Sequence, residues 1–143
     1  MKLHQLSIFA ENKPGHLSAP CRLLGEKGID IRALSLADTR KFGILRLLVS
    51  DPALATTLLE KAGHVVKTTE VVAVEIDDAP GGLAAALDAL DDGKVNIEYV
   101  YAAPSTRDGK AVMIFRFAEP DQAIAALKRA SLRMVDADAL ARK

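Results

Sequence analysis

The sequence is 143 residues long and half hydrophobic, with 19 Lys plus Arg balancing 19 Asp plus Glu and a pI near 6.8. That length fits one ordinary domain or two very small ones, because domains cluster near ~100 to 150 residues and run down to about 50. Balanced charge leaves no electrostatic footprint for nucleic acid or an anionic membrane, and no apolar run approaches the ~18 residues of a spanning helix, so neither is expected as a partner. Met1 to Gln5 shows no apolar signal core or small-residue cleavage site, and the single cysteine, Cys21, cannot form an internal disulfide. A cytoplasmic location is the default expectation.

Leu3 to Ala10 alternates as a strand, with His4, Leu6, Ile8 and Ala10 on one face and Leu3, Gln5, Ser7 and Phe9 on the other. The turn Glu11-Asn12-Lys13-Pro14-Gly15-His16-Leu17 follows. Pro14 lacks an N–H and fixes its own φ, while Gly15 removes a side chain, so the turn is expected to leave the N–H groups of Gly15, His16 and Leu17 bare. At the positive end of a helix dipole these would take a carboxylate or another small anion. Asn-x-Pro-Gly is equally a good turn between a strand and a helix. If Gly15 sits in a first helical turn with negative φ, valine there would cost below ~1 kcal/mol of propensity.

Leu17, Pro20, Cys21 and Leu24 recur at helical spacing up to the Gly25 to Gly28 region. Pro20 inside that helix implies a bent first turn or a start nearer Ser18. Cys21 reads as a small buried hydrophobe. Ile29 to Ala37 is a strand, Asp38 to Lys41 a hairpin turn, and Phe42 to Val49 the returning strand, interrupted by Arg46. Asp51 caps and Pro52 opens a second helix with a stripe of Leu54, Leu58, Leu59 and Ala62 that ends at Gly63. Val65, Val66 and the threonines after them make another strand. The order is βαββαβ.

The order then begins again. Val72, Val74 and Ile76 form a strand face, and Pro80-Gly81-x-Leu83 repeats Pro14-Gly15-x-Leu17 at an offset of 66 residues, which also places Asp30-Ile31 onto Asn96-Ile97. Ile114-Phe115-Arg116-Phe117 matches Ile44-Leu45-Arg46-Leu47 at an offset of 70, so the second hairpin, around Pro104 to Gly109, is longer by four residues. Leu83, Leu87 and Leu90 line one helix and Ala123, Ile124, Leu127 and Ala130 the next. Leu132 to Val135 is the last strand before a charged, alanine-rich tail. Two copies of one unit are implied, residues 1–70 and 71–143. The fold class is α+β, two tandem ferredoxin-like βαββαβ units, each an antiparallel sheet with its helices on one face. The third strand of each copy is apolar on both faces (Ile44, Leu45, Leu47, Leu48; Val112, Met113, Ile114, Phe115), so its second face or edge needs cover, which pairing of the two repeats or of two chains would give, and a homodimer is expected.

Both halves resemble ACT domains, the small-molecule-binding regulatory modules of amino-acid metabolism. In the first half the resemblance rests on Asn12-Lys13-Pro14-Gly15-x-Leu17, the Leu24 to Gly28 helix end and Gly28-Ile29-Asp30-Ile31; in the second it rests on Asp78-Ala79-Pro80-Gly81-Gly82-Leu83 and Asn96-Ile97. It implies a ligand, usually an amino acid, at the interface between two ACT units, gripped by the first turn and the start of the second strand. Carried over by position, the first site would use Asn12, Lys13, Pro14, Gly15, His16, Leu17, Asp30 and Ile31. The second would use Asp78, Pro80, Gly81, Gly82, Leu83, Asn96 and Ile97. N–H donors for a carboxylate and acceptors for an ammonium are both present in these clusters, as a zwitterion requires. Asp30 and Asn96 also read as plain polar residues at strand starts. Serine-responsive members often place a His two residues before the Asn, where this chain has Ala10.

No catalytic apparatus is legible. His4, His16 and His64 lack metal-ligand spacing, there is no Gly-x-Ser-x-Gly or Walker loop, and the only thiol lies on a helix stripe. No cofactor or metal is expected. An RNA-recognition module shares the βαββαβ order and could stack bases on Tyr99, Tyr101, Phe115 and Phe117, but neutral charge opposes it. The expected function is that of a regulatory sensor binding a free amino acid or similar small carboxylate. The alternative is a regulatory subunit of an amino-acid biosynthetic enzyme, acting on a separate catalytic partner.

Overall fold

The structure is a computed structural model and describes residues 2–11, 13–38 and 42–141. Strand β1 (Leu3–Glu11), helix α1 (Ser18–Glu26), strands β2 (Ile31–Asp38) and β3 (Phe42–Val49), helix α2 (Pro52–Lys61) and strand β4 (Val65–Asp77) come first. The same order returns through α3 (Gly82–Asp92), β5 (Ile97–Arg107), β6 (Lys110–Phe117), α4 (Pro120–Arg129) and β7 (Met134–Val135), followed by a short α5 (Ala137–Ala141). The expected α+β fold of two βαββαβ units is therefore what the chain adopts. The strands read separately on either side of residue 70 are one 13-residue strand, β4. Tail residues form α5, whose Ala139 N–H is capped by the Asp136 carboxylate at 2.8 Å.

Two compact units result, His4–Thr69 and Met1–Leu3 with Glu70–Lys143. In the first, β2 pairs with β3, β3 with β1, and β4 lies beside β1. Leu6, Ile8, Leu45 and Leu47 meet Leu24, Ala55 and Leu59 from the two helices, and each of these side chains is almost fully removed from water. Burial on that scale contributes roughly 1.5 to 3 kcal/mol per large aliphatic side chain. In the second unit β5 pairs with β6, β6 with β4, and β7 with β4. Val72, Val74, Phe115 and Phe117 pack there with Ala86, Leu90, Ala123 and Leu127.

Helix faces differ from the expected stripes in α2. Ala55 and Leu59 are its buried pair, whereas Leu54 is 44% exposed and Ala62 is outside the helix at its exposed end. The cap is as expected: the Asp51 carboxylate accepts from Leu54 N–H at 3.1 Å, with Pro52 opening the helix. α1 begins at Ser18, so Pro20 falls in the first turn, where its missing N–H leaves no intrahelical bond unmade.

The side of the sheet turned away from the helices is also withdrawn from water along β3 and β1. Leu48 is 4% exposed, and on the same side of the sheet Gln5 and Ser7 of β1 are buried, with Gln5 Nε2 donating to Ser7 Oγ at 3.2 Å. The longer second hairpin spends its extra residues on extended strand and a register shift between Ala102 and Thr106, then closes through Asp108 and Gly109, both at positive φ. That is the pattern of a tight hairpin turn whose twist suits the strands. The first hairpin turn, residues 39–41, lies outside the described residues.

Candidate functional site

Register places the first turn. Glu11, the last residue of β1, pairs with Phe42 at the start of β3, and the chain then turns back to start α1. Gly15 is left-handed, with φ +89°, a conformation that costs a residue bearing a Cβ roughly 1 to 2 kcal/mol. It therefore lies before the helix and not in its first turn, against the negative φ expected from the sequence. A Cβ at Gly15 would meet no atom within 4 Å, so the requirement for glycine is one of backbone conformation alone.

The turn's N–H groups are only partly bare. His16 N–H donates to the Lys13 carbonyl at 3.2 Å, and the Gly15 carbonyl accepts from Ala19 N–H at 3.1 Å and from the Ser18 hydroxyl at 3.2 Å. Among the described residues, no acceptor is found for the N–H groups of Gly15 and Leu17. Beside them, Lys13 Nζ and Glu11 Oε2 form an ion pair at 2.8 Å. The hydrogen bond and charge of Lys13, aided by His16, hold the Glu11 carboxyl below its ordinary range, and Glu11 in turn raises the Lys13 ammonium.

A pocket of about 580 Å³ opens against this turn, within the range of small-molecule sites. Phe9, Ala10 and Glu11 of β1, Pro14, Gly15 and His16 of the turn and Ala19 of α1 form one side. Ala62, Gly63, His64 and Val65, where α2 gives way to β4, form the other. His64 is placed there because its N–H closes the helix end on the Leu59 carbonyl at 3.0 Å and β4 then runs beside β1. The chemistry on offer is two imidazoles, one carboxylate and an apolar lip of Phe9 and Val65, beside the Gly15 and Leu17 N–H groups that meet no acceptor among the described residues.

Not every expected residue reaches this pocket. Pro14, Gly15 and His16 line it; Lys13 and Leu17 flank it, exposed, outside its lining; Asn12 lies outside the described residues. Asp30 and Ile31 are elsewhere. Ile31 pairs with Val49 at the far end of β3 from Phe42, which separates it from the turn by seven residues, or roughly 23 Å along the sheet. Asp30 is fastened there, its N–H donating to Ser50 Oγ at 3.0 Å and its carbonyl accepting from Ser50 N–H at 2.9 Å. Turn and strand start therefore cannot close on one small molecule within one unit.

The second turn has the same backbone and a different setting. Gly81 is left-handed at φ +87° and its carbonyl accepts from Ala85 N–H at 3.0 Å, as Gly15 does from Ala19. Asp78 N–H donates to the Gly109 carbonyl at 2.8 Å, Pro80 is exposed, and a Cβ built at Gly82 would run into the Asp77 carbonyl. Leu83 packs on the core of its unit. Asn96 and Ile97 again sit at the opposite end, where Ile97 pairs with Phe117 while Asp77 pairs with Lys110.

Other sequence readings resolve simply. Phe115 and Phe117 are buried and stack on each other at 5.3 Å, so they offer no face to a nucleic-acid base. Cys21 is half-buried, and burial raises its thiol. No group of three or more potential metal ligands occurs among the described residues, and no helix there is long and apolar enough to cross a membrane.

A sequence model of the family described as ACT domain pair matches residues 1–143. No protein of curated function matches the sequence. Among solved structures, protein BT0572 from Bacteroides thetaiotaomicron is 35% identical with a TM-score of 0.92, over 100% of this chain and 98% of that one. The regulatory subunit of aspartate kinase from Thermus thermophilus, in a ligand-free form, is 18% identical with a TM-score of 0.65, over 90% of this chain and 89% of that one. The corresponding subunit from Thermus flavus is 20% identical with a TM-score of 0.61, over 90% and 92%. These last two likenesses are of fold.

Proposed function

The chain belongs to the ACT domain pair family, and from that premise we propose that it is a non-catalytic sensor of a free amino acid or a similar small carboxylate, bound at the turn from Lys13 to Leu17. The observation that carries this reading is the pocket of about 580 Å³ against that turn, with His16, His64 and Glu11 in its wall. The Gly15 and Leu17 N–H groups, which meet no acceptor among the described residues, and the imidazoles suit a carboxylate, Glu11 suits an ammonium, and Phe9 and Val65 suit an apolar side chain. Asp30 and Ile31 lie too far along the sheet to join them, so their part in the site needs an ACT unit from a second copy of the chain. A homodimer supplies that unit. Its support is β2, an outer strand paired on one side to β3, which exposes Leu34 at 55% and Leu36 at 48%.

A second reading makes the chain a regulatory subunit of an amino-acid biosynthetic enzyme. It is favoured by two solved structures, named as aspartate kinase regulatory subunits, that share this two-unit fold at nearly this length. Copurification of a larger catalytic partner distinguishes it from a free-standing sensor.

A thermal-shift screen of the twenty common amino acids tests the proposal. A ligand present at about 100 times its dissociation constant adds about 2.7 kcal/mol to the folded state, a shift well above experimental scatter. A flat profile across all of them removes amino acids as the ligand.

A further inference from the structure

The two units share a backbone around the first turn but not the side chains. Besides Gly15 and Gly81, the opposite walls correspond at an offset of 68 residues. His64 N–H donates to Leu59 O and Leu132 N–H to Leu127 O, both at 3.0 Å, while Gly63 and Ser131 both take positive φ before them. On that shared frame His16 corresponds to Gly82 and His64 to Leu132, so both imidazoles are missing from the second unit. Leu132 instead packs on the hydrophobic core, and Gly82 sits so close to the Asp77 carbonyl that no side chain fits. Phe9 and Val65 correspond to Glu75 and Arg133, which form an ion pair at 3.6 Å across the place where the first unit has its apolar lip. Asp78 stands where the first unit has Asn12, adding a negative charge where a carboxylate would arrive.

We propose that the chain carries one working ligand site, in the unit His4–Thr69, and that His16 and His64 are its specificity-determining residues. Their ring N–H groups hold the ligand carboxylate while Phe9 and Val65 select a ligand with a compact apolar side chain. The second turn is a filled copy that keeps the fold and takes no ligand. The helix N-terminus does not make this distinction, because both units have one; the cavity side chains do. This inference rests on the amino-acid reading above.

Calorimetric titration of the full chain with each of the twenty common L-amino acids as probes tests it. One equivalent bound per chain, with preference for an aliphatic amino acid over aspartate and lysine, is the expected result. The double variant His16→Gly, His64→Leu installs residues that the second unit carries on the same backbone, and it should lose affinity roughly tenfold or more per imidazole. Glu75→Ala with Arg133→Ala should bind as the parent does. Two equivalents per chain overturn the single-site inference without touching the amino-acid reading, and so does undiminished affinity in the histidine variant with native circular dichroism. The stoichiometry of the unaltered chain decides the matter even where a variant fails to fold. Absence of binding by every probe overturns the amino-acid reading, and this site with it.

Discussion

Glu75 and Arg133 face each other where β4 and the approach to β7 meet: the Glu75 N–H donates to the Arg133 carbonyl at 2.9 Å and their side chains pair at 3.6 Å. Phe9 and Val65, at the same places in the first unit, are 42% and 64% exposed and line a pocket. A solvated ion pair contributes under about 1 kcal/mol, so the second unit gains little stability from this exchange. What changes is the surface: a charged seal in one copy and an apolar lip in the other.

The turn glycines should separate into two classes. Gly15→Ala and Gly81→Ala each impose a Cβ on a residue near φ +88° with open space around it, and each should destabilise by roughly 1 to 2 kcal/mol. Gly82→Ala meets the Asp77 backbone and should cost more, because strand and turn must separate. Urea denaturation of the three variants checks the order; equal stability of Gly82→Ala and the parent would contradict the close packing of the second turn.

Helix caps make a paired prediction. Asp51 accepts from Leu54 N–H at 3.1 Å, whereas Glu119 at the start of α4 makes no side-chain cap bond. Asp51→Ala should lose about 1 kcal/mol and Glu119→Ala under about 0.5 kcal/mol. Thermal unfolding of both tells them apart, and equal losses would remove the cap as the cause.

Glu11 sets a pH dependence whose sign is fixed. Lys13 lowers its carboxyl, so the pair stabilises the folded turn above the ordinary carboxylate range and is lost as the pH falls through the lowered value. Lys13→Met should return the Glu11 carboxyl toward its ordinary range in an NMR titration. An unchanged titration curve would show that Lys13 does not act on Glu11.

Much of the fold was legible because its constraints are local. Pro14-Gly15-x-Leu17 and Pro80-Gly81-x-Leu83 recur because two turns need the same left-handed glycine, and Asp51-Pro52 announces a capped helix at its first residue. The face of α2 was not legible: Ala53, Leu54, Ala55, Leu58, Leu59 and Ala62 put apolar residues almost all round, and only packing selects Ala55 with Leu59. Arg116 lies within an apolar strand and its sequence position names no partner; it binds Glu98 at 3.3 Å and the Glu70 carbonyl at 3.0 Å, partners brought by neighbouring strands. The same long-range pairing hides half the pocket. Nothing in the spacing of Ala62, Gly63, His64 and Val65 points to Phe9 or His16, some fifty residues away, until β4 lies beside β1. Asp30 is a ligand group by residue type, but its type says nothing of its place at the other end of the sheet from the turn, a distance that only strand pairing sets.

The central claim is that a free amino acid binds against the Lys13 to Leu17 turn. Amide chemical shifts of the isotope-labelled chain, followed while each of the twenty common amino acids is added, test it most directly. The account predicts saturable shifts centred on residues 9–19 and 62–65 for at least one of them, joined by residues 30–31 where a second copy brings them to the site, with the counterparts at 75–85 and 130–133 unmoved. Shifts centred on the second turn, or no saturable shift with any amino acid, would contradict it.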